Sequence, residues 1–166
     1  MMHIPKQRQI KIPILLILFS SMITFLGTGC SKRESRELYH RFPEKSWARF
    51  HLLSFEIPVK KVCSYNIYLF ARFTPDFQYK TLDFNMIMNT PSGEERIHEY
   101  QMEVKSKSGT FCIECNKDSC QGTILLKKEI NLTKQGILKI EIENLTPRLT
   151  TEGILGVGIQ LDPSGK

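Results

Sequence analysis

The stretch GILKIEIEN, Gly136 to Asn144, alternates apolar and charged side chains with a period of two. Leu138, Ile140 and Ile142 fall on one face, and Lys139, Glu141 and Glu143 on the other. That alternation fits a strand with one face buried and is incompatible with a helix, whose apolar positions recur every 3.6 residues. The same period runs through most of the chain. YNIYLFARF sets Tyr65, Ile67, Leu69, Ala71 and Phe73 on one face, and Tyr68 and Phe70 make the other face apolar too, which predicts a central strand. LDFNMIMN sets Leu82, Phe84, Met86 and Met88 opposite Asp83, Asn85 and Asn89. The turn chemistry of Pro91, Ser92 and Gly93 then joins it as a hairpin to IHEYQMEV, with His98, Tyr100, Met102 and Val104 inward. TILLKKEI pairs Ile124, Leu126 and Ile130 on one face. ILGVGIQL puts Leu155, Val157, Ile159 and Leu161 inward and Gly156 and Gly158 outward, where another backbone approaches closely or an edge stays bare. With an early strand around Arg49 to Ile57, this makes seven strands and no long amphipathic helix. The expected fold is all-β: an antiparallel β-sandwich, Ig-like or jelly-roll-like.

The N-terminus is built differently. Lys6, Arg8 and Lys11 form a basic head, and Ile12 to Leu26 an uncharged, mostly apolar run of 15 residues. Gly27, Thr28 and Gly29 then lead to Cys30. A basic head, a short apolar core and small residues at the cut are the layout of an export signal. The run is shorter than the roughly 20 apolar residues a spanning helix needs. LGTGC resembles the lipobox of bacterial lipoproteins, although Gly27 stands three places before the Cys and the apolar Leu26 four. The resemblance implies cleavage after Gly29 and attachment of diacylglycerol and an N-acyl chain to Cys30. Several acyl chains hold firmly, since each buried methylene contributes about 0.8 kcal/mol. The alternative is an ordinary secretory signal. The polar, charge-dense stretch after Cys30 reads as a tether up to Ser46, or as a solvated edge helix across Glu34 to His40. The expected organisation is therefore signal 1–29, lipidated Cys and tether 30–46, and one β domain 47–166.

Charge narrows the partners. Of the net +6, three positive charges lie in the basic head, so the part after Gly29 carries only +3. Its basic residues are dispersed and not interleaved with aromatics, so no nucleic-acid footprint is present.

Apart from Cys30 the chain has Cys63, Cys112, Cys115 and Cys120. An even number in an exported chain favours disulfides, with one bond local to the 112–120 loop and one joining that loop to Cys63. Two other arrangements are chemically coherent. The four thiolates can complete a zinc tetrahedron using the CIEC bite. Cys112 and Cys115 can form a redox pair, though nothing nearby predicts the helix N-terminus that would lower a thiol pKa. No other catalytic constellation is present: no H-E-x-x-H, no G-x-S-x-G and no phosphate-binding glycine loop. His98 on an inward face reads as a hydrogen-bonded core histidine, since no partner for base catalysis accompanies it. Asn131 and Asn144 each begin an N-L-T sequon, idle in a bacterial protein. Trp47, Tyr68 and Phe70 either form an aromatic platform for glycan or pack in the core.

The order of motifs is more specific than any one of them. The lipobox is followed by SFEIP at 54–58, YNIYLFARF at 65–73 and Tyr79 with Leu82. TPSGE at 90–94, GILKIEIEN at 136–144 and EGILGVGIQL at 152–161 come after. This resembles the GldH family of gliding-motility lipoproteins of Bacteroidota. The 109–122 loop departs from it, carrying three cysteines where the family is rich in Gly and Trp. The resemblance brings no catalytic residue. It implies a non-catalytic, lipid-anchored accessory protein of the gliding and type IX secretion machinery, with other envelope proteins as partners. An outer-membrane, periplasm-facing location is expected by analogy with lipoprotein sorting, since SKRES lacks both an Asp next to Cys30 and an acidic cluster. The competing functions are an envelope polysaccharide-binding module and a periplasmic thiol-redox protein using Cys112 and Cys115.

Overall fold

The computed structural model describes residues 35–164, which belong to one compact unit. The signal segment and Cys30 lie outside the described residues. Eleven strands follow in order: β1 (Arg36–Arg41), β2 (Ser46–Ala48), β3 (Leu52–Val59), β4 (Cys63–Phe73), β5 (Thr81–Asn89) and β6 (Glu95–Glu103), then β7 (Glu114–Cys115), β8 (Cys120–Leu132), β9 (Gly136–Asn144), β10 (Thr150–Glu152) and β11 (Ile154–Pro163). One sheet runs β1-β11-β4-β8-β7 and the other β3-β9-β5-β6, with β2 and β10 paired separately.

The strand order decides between the two expected sandwiches. The long strands pair first with last: β1 with β11, β3 with β9, β4 with β8 and β5 with β6, all antiparallel. This is one two-chain ribbon folded over on itself, closed by β11–β4 and β9–β5 pairing. That winding is a jelly roll. The short β2–β10 pair carries the ribbon across the corner between the sheets.

Periodicity explains why these sequences form these strands. Leu82, Phe84, Met86 and Met88 of β5 and Leu138, Ile140 and Ile142 of β9 are all fully buried, as their alternation requires. β4 is central, and its Ile67, Leu69, Ala71 and Phe73 are likewise fully buried. A core of this kind gains about 25 cal/mol per Å² of apolar surface removed from water.

β8 keeps its face through two irregularities. Against β4 its register slips twice, between Tyr65 and Ile67 and again between Ile67 and Tyr68. Each slip inserts one extra residue on β8, two in all, which restores the alternation, and Leu126, Ile130 and Leu132 all stay inward. Polar groups at the bulges are taken up by side chains. The Asn66 Oδ1 accepts from the Glu129 N–H at 2.9 Å, where Glu129 has φ 51°. The Tyr100 hydroxyl donates to the Leu126 carbonyl at 2.6 Å and so joins β6 to β8 across the open edge of the sandwich.

Three expectations are corrected. The polar stretch read as tether contains β1, which pairs with β11 from Arg36↔Leu161 to Arg41↔Gly156. Its charges sit on an edge strand, where one side faces solvent and charge blocks further pairing. The ordered domain therefore begins before Trp47. In β11, a register shift between Ile154 and Gly156 buries Ile154 fully and leaves Leu155 only half-buried. His98 shares the inward side with its partner Met86, yet it is exposed, because β6 is the edge strand of its sheet.

Candidate functional site

The cysteines are the first candidates, and the fold separates them. Cys63 opens β4 while Phe73, at its far end, pairs with Cys120. Ten residues of strand rise about 33 Å, far beyond the roughly 7 Å limit between bridged Cα atoms. The long-range bond to Cys63 therefore does not form. The local bond does: Cys115 and Cys120 face each other across β7 and β8 and are joined as a disulfide. Cys63 and Cys112 are free thiols, the first half-buried and the second exposed. With this pairing, neither alternative is assembled in the structure. Zinc would need both thiolates consumed by the disulfide, and Cys63 is at the wrong end. The Cys112–Cys115 redox pair would need Cys115, which is bonded to Cys120. Among the described residues no three His, Cys, Asp or Glu side chains gather as a metal site. Beside Cys63, the Tyr65 hydroxyl donates to the Lys61 carbonyl at 2.9 Å. Burial, and then hydrogen bonding with Cys63, push its pKa up to about 12.

The aromatic candidates do not meet on one surface. Trp47 is in the core, its Nε1 donating to the His51 carbonyl at 3.0 Å. Phe70 lies on the outer side of its sheet over Gly158, where an added Cβ would come within 2.2 Å of the ring. Tyr39 stacks on Phe70 at 5.7 Å and covers Gly156. The outward glycines thus make room for two rings and for the backbone of β1, whose Leu38 and His40 carbonyls approach them. Tyr39, which the sequence reading missed inside the supposed tether, is the exposed member of this group. Its hydroxyl pKa is raised by partial desolvation, in part offset by the Arg72 guanidinium that lies 5.2 Å over the ring.

At one end of β4, Arg72 Nε donates to Gln121 Oε1 at 2.9 Å. The two residues line an open cleft with Glu114, Asn116 and Ser119. The disulfide holds its rim, and Asn116 Oδ1 accepts from the Asp118 and Ser119 N–H groups. These groups can bind hydrogen-bonding ligands.

Charge is distributed unevenly. The outward positions of the β3-β9-β5-β6 sheet carry Glu56, Asp83, Glu95, Glu99, Glu103, Glu141 and Glu143. The cation among them is Lys139, paired with Glu141 at 2.8 Å. This sheet face is acidic although the chain as a whole is basic. Asn144, the second sequon residue, is fully buried and hydrogen-bonded, so it is no modification site.

These features define a jelly-roll domain whose described residues gather no catalytic constellation, with a lipobox-like Cys upstream in the sequence. The GldH lipoprotein family model matches residues 34–161. The chain belongs to that family of gliding-motility-associated lipoproteins. No curated protein matches it. Among solved structures it is similar to an Eiger TNF from S. frugiperda at 8% identity and TM-score 0.44, covering 81% of this chain and 94% of that one. Dimeric latent PorU from Porphyromonas gingivalis aligns at 8% identity and TM-score 0.37, over 79% of this chain and 13% of that one. TmCBM61, solved in complex with beta-1,4-galactotriose, aligns at 14% identity and TM-score 0.32, over 80% and 86%. None of the three likenesses carries a functional argument at these scores.

Proposed function

We propose that the protein is a lipid-anchored, non-catalytic accessory component of the gliding and type IX secretion machinery. It is held in the outer membrane by diacylglycerol and an N-acyl chain on Cys30, faces the periplasm and binds other envelope proteins. The observation that carries this reading is family membership over 34–161, directly downstream of the lipobox-like LGTGC. The fold supports it: the core is self-contained from β1 onward, so cleavage after Gly29 leaves every described strand intact. The acidic sheet face supports a protein partner that presents basic residues, because complementary charge sets orientation and encounter rate.

The test is genetic. Deleting the gene in its native host should abolish spreading or the release of type IX cargo, and the wild-type gene should restore it. A Cys30→Ala gene should not, despite normal protein levels. Normal spreading and cargo release in the deletion strain would contradict the proposal.

A further inference from the structure

The corner crossed by the β2–β10 pair ends in two adjoining loops, 49–51 and 145–149. The Arg49 N–H donates to the Leu149 carbonyl at 2.9 Å, and the Phe50 N–H to the Asn144 carbonyl at 2.9 Å. The loops are therefore fixed to the core, yet Phe50 and Leu149 point out. Leu149 is 86% exposed, Phe50 60% and the neighbouring Leu52 42%. Phe50 also has φ 62°, in the left-handed region that bulky residues rarely occupy and glycine enters freely. A turn alone would not require a phenylalanine there. Arg49 holds its guanidinium 4.6 Å over the Phe50 ring, and Arg148 lies 5.7 Å over Tyr79. Glu143, opposite Leu52 on the next strand, is the acidic neighbour on the sheet side.

We infer that this corner is a membrane-contact tip, with Phe50 and Leu149 entering the headgroup layer of an anionic bilayer and Arg49 and Arg148 binding lipid phosphates. Two arguments favour a bilayer over a protein groove. The apolar side chains protrude from loop ends and form no flat face, which suits a deformable partner. Each is adjacent in sequence to an arginine, the pairing of apolar anchor and phosphate ligand that interfacial segments use. The tip is also distinct from the start of the domain: Arg36 reaches the Pro58 carbonyl near the far end of β3, whereas the tip precedes Leu52.

The chain from Ser31 onward, which contains the whole described core and no acylation site, is floated with vesicles. One set is phosphatidylcholine alone and the other contains phosphatidylglycerol as well. Partition should be at least tenfold greater into the phosphatidylglycerol vesicles. It should fall at least tenfold in F50S/L149S, and its salt dependence should flatten in R49Q/R148Q. Trp47, the sole tryptophan, sits beneath the tip and reports whether each variant is folded. The single Leu149→Ser variant, altering a side chain outside the core, should by itself reduce partition severalfold. Absence of partition into phosphatidylglycerol vesicles overturns the inference. So does equal partition of folded F50S/L149S or L149S.

Discussion

The Asn144 side chain donates to the Trp47 carbonyl at 2.9 Å, linking the last residue of β9 to the middle of β2, 97 residues apart. The same Nδ2 lies 3.2 Å from the Thr151 hydroxyl, and Oδ1 accepts from both the backbone N–H and the hydroxyl of Thr146. One fully buried amide thus fixes the corner where the ribbon changes sheets. Asn144→Leu should destabilise the domain by about 2–4 kcal/mol, because several buried polar groups lose partners at once. Urea denaturation followed by Trp47 emission measures it. A change within about 0.5 kcal/mol would show that the network is dispensable.

Gly158 of β11 leaves no room for a side chain. A Cβ there would meet Phe70 Cζ at 2.2 Å and the Leu38 carbonyl oxygen at 2.7 Å. Gly158→Val should cost about 3 kcal/mol or more, beyond ordinary overpacking, because the obstacle includes backbone. Adding Phe70→Ala should restore only part of the loss, since the Leu38 carbonyl remains. Full restoration would place the conflict in the ring alone.

The disulfide arrangement can be counted. Thiol titration of the unfolded chain from Ser31 onward should find two free thiols, Cys63 and Cys112, rising to four after reduction. Because the Cys115–Cys120 bond closes a short loop, Cys115→Ser should lower stability by about 2 kcal/mol on the chain-entropy estimate. No free thiols before reduction would mean a second bond, contrary to the separation along β4.

His40 has its pKa lowered, first by burial and then by the nearby His51, whose ring centroid is 6.4 Å away. The folded protein therefore binds a proton at His40 less readily than the unfolded chain does. Stability is unaffected well above the ordinary histidine pKa of about 6.5 and falls as pH drops through and below it. Denaturation midpoints between about pH 7.5 and about pH 5 should decline, and His40→Gln should flatten part of that decline. An identical slope in the variant would remove His40 from the explanation.

The alternating strands were legible because one face of each meets the core and the other meets water. β5 and β9 show this most clearly. β1 was not legible, because RELYHR is an edge strand whose charges resemble those of a tether. β7 has two residues and depends on the Cys115–Cys120 pair for its identity as a strand. The inward assignment of His98 assumed that every strand lies under the opposite sheet, which fails at an edge. The displaced Leu155 follows from the β11 register shift, which no period-two reading contains. The corner tip was hidden for a related reason: Phe50 and Leu149 are ordinary apolar residues in sequence, and only backbone conformation and exposure distinguish them.

The lipid on Cys30 is the central claim, and metabolic labelling tests it most directly. Cells supplied with labelled palmitate should yield a labelled protein in the membrane fraction, and Cys30→Ala should carry no label and leave that fraction after cleavage or accumulate uncleaved. Equal labelling of the wild type and Cys30→Ala, or an unlabelled wild type with Cys30 recovered as a free thiol, would contradict it.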